Sequence, residues 1–511
     1  MYIRRNVWEL GGDWADPIIW YARGVAAMKS KAIAEPTSWK FYGAMHGIDK
    51  PLWQHFGYFK AAEPLPSAAL VKRYWKQCQH GSWYFLPWHR GYLLAFEANV
   101  RDAVVKLGGP KDWALPYWNY FKPQQFKLPP AFGSPDWPDG KGNNPLFVHP
   151  RWGPNSDGNV FVDVTQVSLD AMSDRDFTGV SSGGSPGFGG VDTGFEHGGP
   201  VHGGIETQPH DYVHGLVGGL DPDNQNVSGL MGDPDTAGLD PIFWLHHVNI
   251  DRLWEVWRKS APGHADPTDP KWVKGPTSIG ERSFSMPMPA GKNWDFTPAD
   301  MEDLEKLGYG YDDLSRVPGV AAPEQRLIAL GFEPAAAGAI TQGPAAMASK
   351  KVELIGANQG PLALQGNGAD SSVTLDPAAK TKVVNSLSFA PQKPAPPDRV
   401  FLNLENVRGT ADATALHVYV GVPEGANPSQ HPENLAGNIA LFGVRKASDP
   451  QGEHAGQGLT YVLDISKIID KLHLEDRLQQ NWLKISVVPV KPIPDETKVS
   501  IGRISVYRQG A

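Results

Sequence analysis

In the stretch QPHDYVHGLVGG, His210 and His214 stand four residues apart. On a helix their imidazoles share one face, about one turn apart, and can grip a single metal ion. A second set lies upstream. CQHGSWYFLPWHRGY places His80 nine residues before His89, with Cys78, the chain's only cysteine, two positions before His80; His46 comes earlier still, in FYGAMHGID. A third stretch, DPIFWLHHVNIDRLWEVWRK, carries His246 and His247 side by side. Helical neighbours point about 100° apart, so only one of the two can face a given site. Each pattern is weak alone, since a single histidine in a helix is more often a hydrogen-bonded core or surface residue. Six imidazoles on helical segments together point to a metal centre. The remaining histidines, His55, His149, His197, His202, His264, His417, His431, His454 and His473, are expected to be ordinary residues.

The donor set narrows the metal. Dinuclear iron and manganese centres in helical bundles use glutamates with Glu-x-x-His, which these segments lack. Zinc hydrolase sites usually add a carboxylate or keep a water on the metal. Neutral imidazoles with no ligating carboxylate suit copper. Cys78 taken alone is a small buried hydrophobe, but its place beside His80 argues against that role.

The elements that must hold these side chains begin with prolines. Asp240 is a plausible N-cap with Pro241 at the first helical position, Pro209 precedes the His210/His214 pair, and Pro87 opens the segment that carries His89. All but one of the eighteen tryptophans precede residue 300. The chain then shifts to short alternating runs: KKVELIGA, SSVTLD, KVVNSLSF, RVFLNLENV, ALHVYVGV, NIALFGV, LTYVLDI, LKISVVPV and KVSIGRISVYR, which read as strands. The expected fold is α+β: a helical bundle with long loops over residues 1–315, a Pro/Ala-rich exposed linker over 316–348, and a β-sandwich over 349–511. The Gly-rich stretch 181–204 lacks periodicity and reads as surface loop.

Composition excludes several classes. A net charge of −8 without a dense Lys/Arg cluster gives no footprint for nucleic acid. The start, MYIRRNVWELGGDW, has no apolar run behind its arginines, and no later stretch approaches a membrane span, so a cytoplasmic setting is expected. One cysteine rules out an intrachain disulfide framework.

The stretches HGSWYFLPWHRGYLLAFE, LPYWNY, PHDYVHGLVGG and DPIFWLHHVNIDRLW resemble the type-3 copper proteins, the tyrosinase and catechol oxidase (polyphenol oxidase) family, and among them the bacterial tyrosinases that carry a C-terminal domain. The resemblance covers roughly residues 1 to 315. It implies two copper ions, with His46, His80 and His89 on copper A and His210, His214 and His247 on copper B. It implies O2 as co-substrate, ortho-hydroxylation of small monophenols, and oxidation of o-diphenols to o-quinones. Cys78-Gln79-His80 matches a Cys-x-His motif that forms a thioether to the middle copper A histidine in fungal members. Glu206 matches the family's water-holding glutamate, which helps take the proton of a phenol whose pKa is near 10. An asparagine normally follows the first copper B histidine; here Asp211 stands there. It is expected either to act as a second acceptor, to repel Glu206 and raise one carboxyl pKa, or to be a first-turn residue favoured by the helix dipole. Pro234 takes the place of a bulky phenylalanine that covers copper A in plant catechol oxidases, which favours a tyrosinase. LGYGYDDL, with Tyr309 and Tyr311, resembles the tyrosine motif that closes the family's catalytic domain.

Catechol oxidase, o-aminophenol oxidase and a haemocyanin-like O2 carrier remain alternatives, with a dinuclear zinc hydrolase the weakest. The C-terminal domain is expected to act as a lid that keeps the enzyme latent. Phe442, in NIALFGV, is a candidate plug whose simpler role is packing within the sandwich core.

Overall fold

The computed structural model describes residues 1–510 apart from 141, 262, 318–323, 343–350, 389–395 and 453–454. Five helices frame the first part: α1 (Asp16–Lys29), α2 (Trp39–His46), α3 (Phe85–Lys106), α4 (Tyr212–Gly218) and α5 (Pro241–Ser260). Local chemistry sets their starts. Ser38 caps α2 by accepting from the Phe41 N–H, and Asp240 caps α5 by accepting from Ile242 with Pro241 at the first position. Pro87 sits in the first turn of α3, where its missing N–H costs nothing. Before α4 the chain makes a wide turn over Glu206–Asp211, with an extended break at Gln208, so regular helical dihedrals resume at Pro209.

The long helices pack through small and flat surfaces. A Cβ on Gly24 of α1 would lie 2.7 Å from Val100 Cγ1 of α3, so only glycine allows this approach. Phe96 of α3 stacks on Trp244 of α5 with ring centroids 3.4 Å apart. Behind them runs a buried ion network: Arg90 Nε donates to Asp251 at 2.6 Å, Arg90 Nη2 donates to Glu255 at 2.8 Å, and Arg4 reaches Glu97 and Asp251. The tyrosine motif closes this network. Tyr309 and Tyr311 donate to Asp251 from strand β2 (Tyr309–Tyr311), which pairs in parallel with β1 (Tyr2–Arg4) and so ties the start of the chain to residues 309–311. Removing one partner from a buried pair of this kind costs about 3–5 kcal/mol.

The second part is one antiparallel sheet. Its strands are β3 (Val352–Ala357), β4 (Leu362–Ala363), β5 (Ala369–Leu375), β6 (Arg399–Arg408), β7 (Ala415–Val420), β8 (Leu435–Ala440), β9 (Leu459–Asp464), β10 (Trp482–Pro489) and β11 (Ser500–Gln509). They follow the order β8-β7-β10-β5-β3-β11-β6-β9, with β4 also on β11. The expected sandwich thus takes the form of a single sheet rolled nearly shut, as strand twist allows. Its two edges approach each other, and the Tyr461 hydroxyl of β9 donates to the Ala440 carbonyl of β8 at 3.0 Å.

Three expectations need correction. Residues 382–388 of KVVNSLSF belong to a helix, Pro377–Ser388, because Asp376 caps it by accepting from the Ala379 N–H and Ala379, Val383 and Leu387 bury one face. The linker is not simply exposed: Leu327, Leu330, Phe332 and Ala337, in and beside the helices Glu324–Ala329 and Pro334–Gln342, pack into the core of the sheet. The Gly-rich stretch is irregular, yet residues 183–190 are buried rather than on the surface. His454 and residues 343–348 of the linker lie outside the described residues. No helix among the described residues is long and apolar enough to cross a membrane.

Candidate metal centre

The three helical histidine stretches converge. Ligand atoms of His46, Cys78, His80 and His89 all lie within 4.8 Å of one another, and so do those of His210, His214, His246 and His247. The two clusters adjoin, with the rings of His89 and His247 stacked 4.6 Å apart. His46 ends α2, His89 sits in the first turns of α3, His214 is on α4 and His247 on α5, so the site lies where four helices meet.

Four of the six imidazoles expected as ligands have Nδ1 engaged and Nε2 directed inward. His46 Nδ1 donates to the Pro234 carbonyl at 2.7 Å, His89 Nδ1 to Phe85 O at 2.8 Å, His214 Nδ1 to Met231 O at 2.7 Å, and His210 Nδ1 to Asp211 Oδ1 at 2.8 Å. Such outer hydrogen bonds fix tautomer and ring orientation in metal sites. The Nε2 atoms of His46 and His210 are buried without a hydrogen-bond partner. His214 Nε2 and His247 Nε2 stand 3.2 Å apart. Two nitrogens each about 2.0–2.1 Å from one tetrahedral ion would be about 3.3 Å apart, so this spacing fits a shared metal. Burial lowers the pKa of all six imidazoles, His46 to about 4, which keeps them neutral as ligands must be. The set fits two copper ions, one on His46, His80 and His89 and one on His210, His214 and His247. His246 also lies in the second cluster, with Nδ1 3.4 Å from the Tyr120 hydroxyl and Nε2 buried without a hydrogen-bond partner, but it is His247 whose Nε2 faces that of His214.

Cys78 is fully buried in the first cluster. Its Sγ lies 3.4 Å from Nδ1 and 3.9 Å from Nε2 of His80, the two nitrogens that flank Cε1, and 3.4 Å from His89 Nε2. Burial pushes the thiol pKa up, so the sulfur holds its proton and resists ordinary thiolate chemistry.

Glu206 is buried beside both clusters. Its two carboxylate oxygens accept from the Gly81 N–H at 2.9 and 3.1 Å, next to His80. Asp211 is not an isolated first-turn residue: between it and Glu206 stands His202, which donates from Nδ1 to Asp211 Oδ2 at 2.7 Å and lies 3.7 Å from Glu206 Oε1. Burial would keep all three groups neutral. Glu206 and Asp211 together overcome it for His202 and raise its pKa to about 9. One imidazolium cannot offset burial for two carboxyls, so both stay above the ordinary carboxylate range, chiefly through desolvation, and repulsion by Asp211 adds to the rise at Glu206, as one of the expectations for Asp211 had it.

The second part of the chain closes the site. Ile439 and Leu441 point into the core of the sheet, whereas Ala440 and Phe442 belong to the core of the helical part. The Phe442 ring stacks on His214 at 4.4 Å and 22°, and stands 5.8 Å from His210 and 6.1 Å from His80. Packing in the sheet's own core is therefore not its role. Pro234, besides holding His46 through its carbonyl, lies next to Gly443. Just beyond, Arg445 donates to Asp233 at 2.7 Å and Asp49 at 3.0 Å, and Lys446 donates to Asp235 at 3.1 Å. Lys446 Nζ also meets His197 Nε2 at 3.0 Å, while His197 Nδ1 donates to the Cys78 carbonyl at 2.9 Å.

His197 and His202 are hydrogen-bonded core residues rather than ligands, as expected, but their place beside the site is something sequence reasoning missed. Both sit in the Gly-rich stretch, whose paired glycines were the available signal. Gly81 has φ +62°, and a Cβ there would meet Gly199 O at 2.3 Å, so the loop lies directly on the His80 backbone.

Comparisons with known proteins agree with this geometry. The family described as "Common central domain of tyrosinase" matches residues 36–260, and residues 351–509 match "Domain of unknown function (DUF7868)". A tyrosinase, HcTyr1, from the bacterium Hahella sp. is 32% identical over the whole of both chains. Polyphenol oxidase E of Solanum lycopersicum is 32% identical over 38% of this chain and 33% of its own. Among solved structures, latent apple tyrosinase aligns over 99% of this chain and 97% of its own with a TM-score of 0.59 at 21% identity, and latent aurone synthase over 99% and 89% with 0.56 at 19%. At those identities the structural likeness speaks for the fold.

Proposed function

Given that this chain belongs to the tyrosinase family, whose members are dicopper oxidoreductases acting on phenols, we propose that it hydroxylates monophenols ortho to their hydroxyl, oxidises o-diphenols to o-quinones, and is held latent by its own C-terminal domain. The observation that carries this reading is Phe442: an aromatic ring from the sheet domain rests on His214 in the pocket between two sets of three buried imidazoles. A phenol ring has nearly the size and shape of that side chain, so the place it fills is the place a substrate would take.

Bound by these imidazoles, a copper pair would supply the chemistry that couples O2 reduction to phenol oxidation. The chain's own residues do the rest. Phe85 and Phe243 line the site, 4.8 Å from His210 and 4.1 Å from His247 respectively, and keep it apolar and dry. The carbonyls of Phe85, Met231 and Pro234 hold three imidazoles in one tautomer. Glu206, whose burial lifts its pKa to about 8, is once ionised a stronger base toward a phenol's hydroxyl proton than an ordinary carboxylate. Asp211 commits one oxygen to His202 and the other to His210.

The test is a copper-loaded assay of a monophenol, an o-diphenol and an o-aminophenol side by side, on the full chain and on a chain truncated before residue 316. Turnover of all three, raised by truncation, supports the reading. Turnover of the diphenol alone would reduce it to a catechol oxidase, and reversible O2 binding without quinone formation to a carrier.

A further inference from the structure

We propose that His202 is a positioning residue of the second copper site, acting through Asp211 on His210. This rests on the reading of His210 as a copper ligand. Three of the four imidazoles with an engaged Nδ1 are anchored on backbone carbonyls, Pro234 O, Phe85 O and Met231 O, which the fold itself fixes. His210 alone of the four is anchored on a side chain, Asp211, the next residue in sequence. A carboxylate on two rotatable bonds is a loose anchor unless something holds its other oxygen.

His202 does that. The two oxygens of Asp211 are shared one each: Oδ1 accepts from His210 Nδ1 at 2.8 Å and Oδ2 from His202 Nδ1 at 2.7 Å. Both residues are almost wholly buried, His202 at 7% and Asp211 at 0% exposure, so no solvent competes for those oxygens. The chain is thus His202, Asp211, His210, ending at an Nε2 with no other partner. His202 is itself held from the other domain, because the preceding Val201 pairs with Thr460 of β9 and Thr460 N donates to Pro200 O at 2.7 Å. In this geometry the aspartate, which stands where the family usually has asparagine, depends on His202 for its orientation.

The experiment uses the full chain, stripped of copper, with cupric ion titrated against a competing chelator, and the melting temperature of the copper-free protein as a second readout. Wild type is compared with His202→Leu, His202→Asn, Asp211→Ala and the His202→Leu/Asp211→Ala pair. Outer-shell partners of metal ligands typically matter about tenfold to a hundredfold in affinity. His202→Leu should weaken one of the two copper ions by that factor and leave the other unchanged. His202→Asn, whose amide N–H sits as many bonds from Cα as Nδ1, should restore most of the affinity. In the Asp211→Ala background His202→Leu should cost nothing further. Should His202→Leu fail to fold, His202→Gln, whose amide lies one bond too far out, replaces it with the same expected outcomes. Wild-type affinity at both ions in the variant, or an equal loss with Asp211 already removed, would overturn the proposal, as would a fall in copper-free melting temperature with no selective copper loss. Wild type binding other than two ions would instead overturn the dicopper reading on which it rests.

Discussion

Replacing Phe442 with alanine should open the enzyme without any proteolysis. The ring is 1% exposed and belongs to the core of the helical part. For a substrate to reach His214, this side chain must first leave, and taking a phenylalanine out of a packed core costs about 3–5 kcal/mol. Even the lower end, about 3 kcal/mol, means the entrance is free in under one molecule in a hundred, and apparent affinity falls by that fraction. In Phe442→Ala that competition vanishes, and the cavity left is the size of an aromatic ring. The value of kcat/KM for a single-ring diphenol such as catechol should then rise roughly a hundredfold and at least tenfold. The gain should fall mostly in KM, because none of the imidazoles has been touched. Quinone formation by intact, copper-loaded protein is the assay, with copper content and melting temperature as controls. Phe442→Leu should fall between the two. A kcat/KM within twofold of wild type, in a variant that still holds two copper ions, would refute the reasoning: Phe442 would then be packing and not obstruction.

Other outcomes follow from neighbouring contacts. Arg445→Ala should loosen the same closure, since it strips the cation from buried Asp233; with the guanidinium itself about a third exposed, a cost of about 1–2 kcal/mol is expected, or about a five- to thirtyfold gain in rate on a bulky diphenol. Nicking the chain between residues 315 and 348 should by itself activate less than nicking followed by mild detergent, because Arg445, Lys446 and the Val201–Thr460 pairing still dock the two parts. Protein exposed to copper and O2 should lose two hydrogens in intact mass, as the Cys78 S–H and a His80 ring C–H give way to an S–C bond with O2 taking the two electrons, and peptide mapping should place the bond on His80 rather than His89; a thiol freely alkylated after denaturation of fully active enzyme would show the bond unnecessary. Glu206→Gln should reduce monophenol turnover about tenfold or more beyond its effect on diphenols, in line with removal of a general base, and parallel losses would make Glu206 structural.

What the sequence disclosed and what it hid divide along local and long-range determinants. Histidines spaced on Pro-opened, capped helices were legible, because i,i+4 geometry and N-cap chemistry operate within a few residues. KVVNSLSF reads as a strand from Val383, Val384 and Leu387, yet the Asp376 cap and the four-residue spacing of Ala379, Val383 and Leu387 are the stronger signal. Phe442 is half legible: alternation with Ile439 and Leu441, carried two residues past the end of β8, turns it away from the sheet core, but only the docked structure shows that it then looks onto the copper ligands rather than water. His197 and His202 were out of reach of periodicity altogether. Their loop has no helix or strand of its own, and its course is set by contacts with Gly81 and Thr460, far away in the chain.

The central claim is that six imidazoles hold two copper ions that oxidise phenols, and copper content measured together with diphenol oxidation in His89→Ala and His214→Ala tests it most directly. Wild type should bind two ions per chain. Each variant should keep its helical signal, because the helices are held by their apolar faces, while binding one ion fewer or holding it weakly and losing oxidase activity. Full activity with two tightly bound ions in either variant would contradict the account.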